Sequence, residues 1–261
     1  MNKGTALVTG ASSGIGAIYA DRLAARGHDL VLVARNRARL EEQAARLLDR
    51  YGVQVRIHVA DLGAKDDLLS IETLIAEDET LTMLVNNAGF GGAGSLAQSD
   101  VDEMERMIAV NATAVMRLSY AAAPVFAARK SGSIINIASI AAIAPEILNG
   151  VYGGTKAFVL AFSRSLKKDL APEGVAVQVV LPGATGTEFW DIAGLPHANL
   201  PAEWVMTPEV LVDAALADLD AGQFASIPSL HDDGQWQAWE TARDTMLPHL
   251  SSRTAAPRYG A

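Results

Sequence analysis

Thr9-Gly10-Ala11-Ser12-Ser13-Gly14-Ile15-Gly16 follows the apolar run Ala6-Leu7-Val8 and leads into the helical spacing Ile15, Ile18, Tyr19, Leu23. A strand, a glycine-rich turn and a helix are expected here in immediate succession. Gly10 permits a sharp reversal, Gly14 lets backbone approach a ligand, and Gly16 lets the helix pack closely on the strand. The free N–H groups and positive dipole end of that helix then face the ligand, and a pyrophosphate is their natural occupant. A turn with no ligand is the bland alternative, but Gly-x-x-x-Gly-x-Gly between a strand and a helix has the context that dinucleotide binding demands.

Working outward, Gly27 stands at a helix C-cap and Leu30-Val31-Leu32-Val33 reads as a strand buried on both faces. Helical spacing runs from Asn36 to Tyr51, Gly52 ends it, and Val53, Val55, Ile57 and Val59 alternate as a third strand. Lys65 to Glu77 reads as an amphipathic helix, and Leu81 to Val85 as a fourth strand ending in Asn86-Asn87-Ala88-Gly89. A long helix, apolar nearly all round, is expected over Ser99 to Arg129. Ser133 to Ala138 follows as a strand, Tyr152 to Leu170 as a helix, and Val175 to Leu181 as a sixth strand. Thr207-Pro208-Glu209 opens a further helix to Leu219, and Phe224 to Ile227 completes the strands. Strands alternating with helices imply a parallel α/β sheet covered on both faces.

Composition narrows the function. The 261 residues are half hydrophobic, enough for one sizeable core, and the net charge of -9 disfavours a nucleic-acid partner. With no Cys there is no thiolate nucleophile or Cys-based zinc site, and the five His are scattered, so no metal is expected. Met1 to Gly4 run straight into the first strand, and Ile134 to Leu148 is too broken by polar residues for a membrane span. A cytoplasmic protein without membrane contact is the expectation. A single domain over 1–250 is expected, with a substrate segment near 184–206 and a tail over 251–261.

In a parallel sheet, ligands bind beyond the carboxyl ends of the strands. Those positions hold Gly10 to Gly16, Ala34-Arg35-Asn36, Asp61-Leu62, Asn86 to Gly89, Ser139 and Pro182-Gly183. Asp61 suits an adenine amino group. Tyr152 and Lys156 sit one helical turn apart on one face. A free Tyr titrates near 10. A cation ~4 Å away contributes on the order of 4 kcal/mol at an effective dielectric of ~20, enough to bring that value down by up to about three pH units. Ala34 stands where a carboxylate would bind the ribose 2'-hydroxyl of NADH, and Arg35 follows it. A guanidinium suits a 2'-phosphate, so NADP(H) is expected over NAD(H).

The ordered set Thr9-Gly10-x-x-x-Gly14-Ile15-Gly16, Asn86-Asn87-Ala88-Gly89, Asn111, Ser139, Tyr152-x-x-x-Lys156 and Pro182-Gly183 resembles the short-chain dehydrogenase/reductase family over about residues 3–190. The resemblance implies a Rossmann-type doubly wound parallel sheet of about seven strands, order 3-2-1-4-5-6-7, with helices on both faces. It implies hydride transfer between a nicotinamide and a carbonyl or alcohol. Tyr152 would protonate the carbonyl oxygen, Ser139 would hold that oxygen, Lys156 would bind the nicotinamide ribose, and Asn111 would hold a water linking Lys156 to solvent. Gly10, Ser12, Ser13, Gly14, Ile15, Gly16, Arg35, Asp61, Leu62, Asn87, Ala88, Gly89, Tyr152, Lys156, Pro182, Gly183 and Thr187 would line the NADP(H) site. Substrate would meet Ser139, Tyr152, Phe189 and Trp190, with Ile192, Leu195 and Trp204 nearby. Gly153-Gly154 departs from a frequent Ser-Ala pair and is expected to loosen the helix start. A homodimer or homotetramer is implied, with the Tyr152 helix at its interface. An imine reductase or a non-catalytic NADP(H) sensor are the competing readings; the intact Asn111, Ser139, Tyr152 and Lys156 disfavour the sensor.

Overall fold

The computed structural model describes residues 3–260 except 93, 95 and 196, and the side chains of Leu96, Ile192 and His197 also lie outside the described residues. Up to Pro228 the chain forms one compact unit built on a parallel seven-stranded sheet in the order β3-β2-β1-β4-β5-β6-β7. The strands are β1 (Thr5–Thr9), β2 (Asp29–Ala34), β3 (Val55–Val59), β4 (Leu81–Asn86), β5 (Gly132–Ile137), β6 (Val175–Val180) and β7 (Ala225–Ser226). The helices of this unit are α1 (Gly14–Ala25), α2 (Arg37–Tyr51), α3 (Lys65–Glu77), α4 (Val101–Ile108), α5 (Val115–Arg129), α6 (Gly150–Leu170), α7 (Phe189–Ile192) and α8 (Pro208–Asp220). This is the Rossmann-type fold and strand order that the resemblance implied.

Alternate residues of each central strand serve opposite faces, which is why the strands read as unbroken apolar runs. Ala6 and Val8 of β1, with Leu30 and Leu32 of β2, pack under Tyr19, Leu23, Leu40 and Leu47 and against Leu211, Val212 and Ala215. Leu7, Val31, Val33 and Leu84 pack instead against Leu68, Ile71, Ile75, Leu118, Ala122 and Phe126. A buried polar chain crosses the second layer: Asn86 Nδ2 donates to Asn136 Oδ1 at 2.9 Å, and Asn136 Nδ2 to Ser163 Oγ at 2.9 Å. It gives both amide nitrogens buried partners, while Asn86 Oδ1 accepts no hydrogen bond.

The expected long helix over 99–129 is not uniform. α4 and α5 are joined by a π-turn, Ala109–Ala114, that carries the fully buried Asn111. One extra residue per turn redirects side chains at that point. α8 starts as read, with Thr207 Oγ1 accepting from Val210 N at 3.3 Å and Pro208 at the first position. From Ser229 onward a second compact unit holds α9 (Asp233–Met246), whose Trp236 and Trp239 rings stack at 4.9 Å. Among the described residues no helix is long and apolar enough to cross a membrane.

Candidate active site

The strand order reverses between β1, β2 and β4, and the glycine-rich turn after β1 lies at that reversal beside the turn after β4. Thr9 stitches the two turns together. Its Oγ1 accepts from Asn87 N at 2.9 Å and Ala88 N at 3.0 Å, and Asn87 Nδ2 donates back to Thr9 O at 2.9 Å. Gly10 has φ of 65°, and a Cβ there would lie 2.9 Å from Ala88 Cα. A Cβ on Gly16 would collide with Gly10 O, so this helix start requires glycine. Ser13 flanks α1 without capping it by its side chain, and the first turn of α1 holds no acidic residue. The first amides of α1 are therefore left for an anion. A dinucleotide pyrophosphate fits this cradle.

Three further expected cofactor residues border it. Thr187 packs on Gly14, whose Cβ position lies 3.2 Å from the Thr187 methyl. Arg35 is exposed at the end of β2, where its guanidinium makes no hydrogen bond or ion pair among the described residues. Asp61 is already engaged: its Oδ1 accepts from Gly63 N at 2.9 Å and its Oδ2 pairs with Arg106 at 2.7 Å. Leu62, beside it, is buried. Pro182 O accepts from Ile140 N at 3.0 Å, and Gly183 O from Thr185 Oγ1 at 3.1 Å, so that turn anchors the segment leading away from Ser139.

The sheet brings Ser139, Tyr152, Lys156 and Asn111 together, all buried. The Ser139 hydroxyl lies close enough to the Tyr152 hydroxyl to favour its ionised form, and Ser139 Oγ accepts from Ala141 N at 3.1 Å. Lys156 Nζ donates to Ile137 O at 2.9 Å and lies 5.7 Å from the centre of the Tyr152 ring. Asn111 Oδ1 accepts from Phe90 N at 3.0 Å, while its Nδ2 donates to Phe90 O at 2.8 Å and Thr155 Oγ1 at 3.3 Å. Thr155 in turn donates to Tyr152 O at 2.8 Å, a link the sequence did not reveal.

The expectation that Lys156 lowers the Tyr152 pKa is corrected here. Burial pushes the Tyr152 hydroxyl up to about 12, against a lowering influence from the Ser139 hydrogen bond. The same burial brings Lys156 down to about 8. Desolvation is the leading cause for both groups, and Tyr152 sits in an apolar wall. That wall holds Met107 and Ala141, with Phe90, Met104, Leu148, Val151 and Phe189 packed against it. The Phe189 ring lies 5.6 Å from the Tyr152 ring, and a Cβ on Gly91 would come within 2.5 Å of it. Trp190 turns its indole to donate to Thr185 O at 2.8 Å. Trp204 and Leu195 are largely exposed.

Sequence reasoning also missed Glu188 and Arg39, which form an ion pair at 2.7 Å beside the glycine-rich turn. It missed Asn149 too, whose Nδ2 donates to Gly94 O at 2.9 Å and whose Oδ1 accepts from Val151 N at the start of α6. Gly153 and Gly154, expected to loosen the helix start, lie within α6. α6 begins at Gly150, and Gly153 sits in tight contact with Pro145.

Residues 4–193 match the family model for short chain dehydrogenase. The fold superposes with a TM-score of 0.94 on a short-chain dehydrogenase from Sphingobium yanoikuyae in complex with NADPH, 46% identical, covering 97% of this chain and 98% of that one. It superposes with a TM-score of 0.91 on a bulky-bulky ketone specific alcohol dehydrogenase from Comamonas testosteroni, 42% identical over 99% of both chains. A very-long-chain 3-oxoacyl-CoA reductase of Anas platyrhynchos is 34% identical, over 81% of this chain and 67% of its own. A cradle that only glycine permits, a buried Ser139–Tyr152–Lys156 group beside it and these likenesses place the chain in the short-chain dehydrogenase/reductase family of oxidoreductases.

Proposed function

We propose that this protein is an NADPH-dependent oxidoreductase that interconverts an apolar, bulky ketone or aldehyde and its alcohol. The observation that carries the reading is the buried Tyr152 hydroxyl beside Ser139, with Lys156 Nζ 5.7 Å from its ring, at the foot of the glycine cradle.

NADPH, when bound, supplies the hydride. Gly10, Ser12, Ser13, Gly14, Ile15 and Gly16 would hold its pyrophosphate through backbone amides, and Arg35 would take the 2'-phosphate. Asn87, Ala88 and Gly89 would meet the ribose, with Thr187 packed on Gly14 beside the cradle. Tyr152, held at about 12, stays protonated across the neutral range and gives its proton to the carbonyl oxygen, while Ser139 donates a hydrogen bond to that oxygen. Lys156 would hold the ribose hydroxyls. Asn111, by fixing Phe90 and Thr155, keeps the floor of the site rigid. In the oxidative direction Tyr152 must first lose its proton, so alcohol oxidation rises with pH.

The substrate reading rests on Phe90, Met104, Met107, Leu148 and Phe189, which leave little but apolar surface around Tyr152. The NADPH complex and the ketone specificity of the two structural relatives support both halves of it. Tyr120, Phe162 and Phe158 form an exposed three-ring stack along α5 and α6, with successive centroids 6.1 and 5.6 Å apart. A homodimer sealed at this face fits that surface.

The test is NADPH and NADH oxidation with butyl phenyl ketone, with Tyr152→Phe as control. NADPH-preferring turnover that is lost in Tyr152→Phe supports the reading; turnover unchanged in Tyr152→Phe overturns it.

A further inference from the structure

The segment between Ser139 and Tyr152 rests on α6 through a contact that only glycine permits. A Cβ at Gly153 would lie 2.6 Å from Pro145 Cβ, 2.7 Å from Pro145 Cα and 2.8 Å from Pro145 O. Two of those atoms are backbone, so no change of rotamer relieves the collision. Gly154, its neighbour, is exposed, and a Cβ there would meet nothing within 4 Å. The two adjacent glycines therefore have different standing, and only the first is sterically required.

The segment is tied at both ends. At one end Ala141 N donates to Ser139 Oγ at 3.1 Å and Ile140 N to Pro182 O at 3.0 Å. At the other, Asn149 accepts from Val151 N at 2.8 Å and donates to Ser99 Oγ at 3.1 Å. Between the ties run two short 3-10 turns, Ile140–Ala142 and Pro145–Ile147. The remaining freedom is how far the middle stands off the helix, and Gly153 sets that distance to direct contact. The same segment gives Ala141 and Leu148 to the apolar cluster around Tyr152, and leaves Ile143 and Ile147 exposed.

We propose that Gly153 is a specificity-determining residue: by letting Pro145 lie directly on α6, it fixes the wall over residues 140–148 against which the larger substituent of the carbonyl substrate rests. This rests on the ketone-reductase reading above. A side chain at 153 lifts the wall. A ketone with two large groups then loses its fit, whereas one with a methyl group reaches Tyr152 without touching the displaced part.

The experiment compares Gly153→Ala, Gly154→Ala, Pro145→Gly and the double variant Gly153→Ala/Pro145→Gly in two readouts. The first is the thermal midpoint, without ligand. Alanine favours a helix over glycine, so Gly154→Ala should raise the midpoint and Gly153→Ala should lower it; Pro145→Gly, which removes one clashing atom and frees the backbone that carries the other two to move aside, should recover more in the double variant than additivity allows. The second is kcat/KM for butyl phenyl ketone against acetophenone with NADPH. Gly153→Ala should cost the bulkier ketone at least fivefold more than acetophenone, mostly in KM, with the pH profile unmoved. Equal losses on both ketones, a moved pH profile, or a raised midpoint in Gly153→Ala would each overturn the proposal. If the unmodified enzyme reduces neither ketone, the ketone reading fails and the specificity role with it, while the thermal cycle still reports whether residues 145 and 153 are coupled.

Discussion

Arg39 Nη1 lies 2.7 Å from Glu188 Oε2, joining the first turn of α2 to the segment that carries Phe189 across 149 residues of chain. With Arg39 foremost and Ser13 adding a smaller influence, the surroundings hold the Glu188 carboxyl below its usual range. Both partners of the ion pair are about half exposed, so its weight lies in local order rather than global stability. Glu188→Gln should speed amide hydrogen exchange across 186–193 while the thermal midpoint stays put. High salt should produce the same loosening in the unmodified protein. Exchange followed by mass spectrometry at low and high salt decides it; unchanged rates in 186–193 reject the link.

Arg35, immediately after β2, makes no hydrogen bond or ion pair among the described residues. A charge-assisted bond to phosphate is worth roughly 1.5–3 kcal/mol, or about tenfold or more in affinity. Arg35→Glu should weaken NADPH by at least that factor and leave NADH nearly unchanged. Fluorescence titration with each nucleotide reads both, and an equal loss for the two would remove Arg35 from the 2'-phosphate site.

Asn111 satisfies both the N–H and the C=O of Phe90 from inside the π-turn. Alanine there strands two backbone groups, each costing roughly 1–3 kcal/mol if it stays buried. Urea unfolding of Asn111→Ala should show a loss in that range or above it. Asn111→Asp, which keeps an acceptor for Phe90 N but no donor, should fall between the two.

Lys156 gives a pH signature. Its folded value of about 8 lies below the ordinary 10.5, so the folded state releases this proton first. Its cost to stability is therefore fully present below pH 8 and is relieved as pH rises toward 10.5. Tyr152, at about 12 against an ordinary 10.0, has the opposite sign and takes stability away above pH 10. Between about pH 8 and 10 the unmodified protein should gain stability relative to Lys156→Met. Parallel denaturant curves of the two proteins across that window supply the check, and a constant difference would contradict a buried, easily deprotonated Lys156.

The strands and the cradle were legible because they depend on local rules: apolar runs, glycine spacing and the Thr207-Pro208 start. Tyr152 and Lys156 were legible because four residues make one helical turn. The Arg39–Glu188 pair, the seat of Pro145 on Gly153 and the grip of Asn111 on Phe90 were not, since each joins segments whose proximity only the folded sheet creates. The direction of the Tyr152 shift was misread for a related reason. Sequence shows the cation four residues away but not how completely the apolar wall excludes water from both groups.

β1 pairs with β2 on one side and β4 on the other, so the earliest of these seven strands in chain order is also an interior strand of the sheet. Synthesis can wrap β2, β3 and β4 around it before β5 exists, and the Thr9–Asn87 stitching is complete once residue 88 emerges. The buried Ser139, Tyr152 and Lys156 come well downstream. Chain order thus closes the glycine-rich cradle before the polar group beside it can assemble.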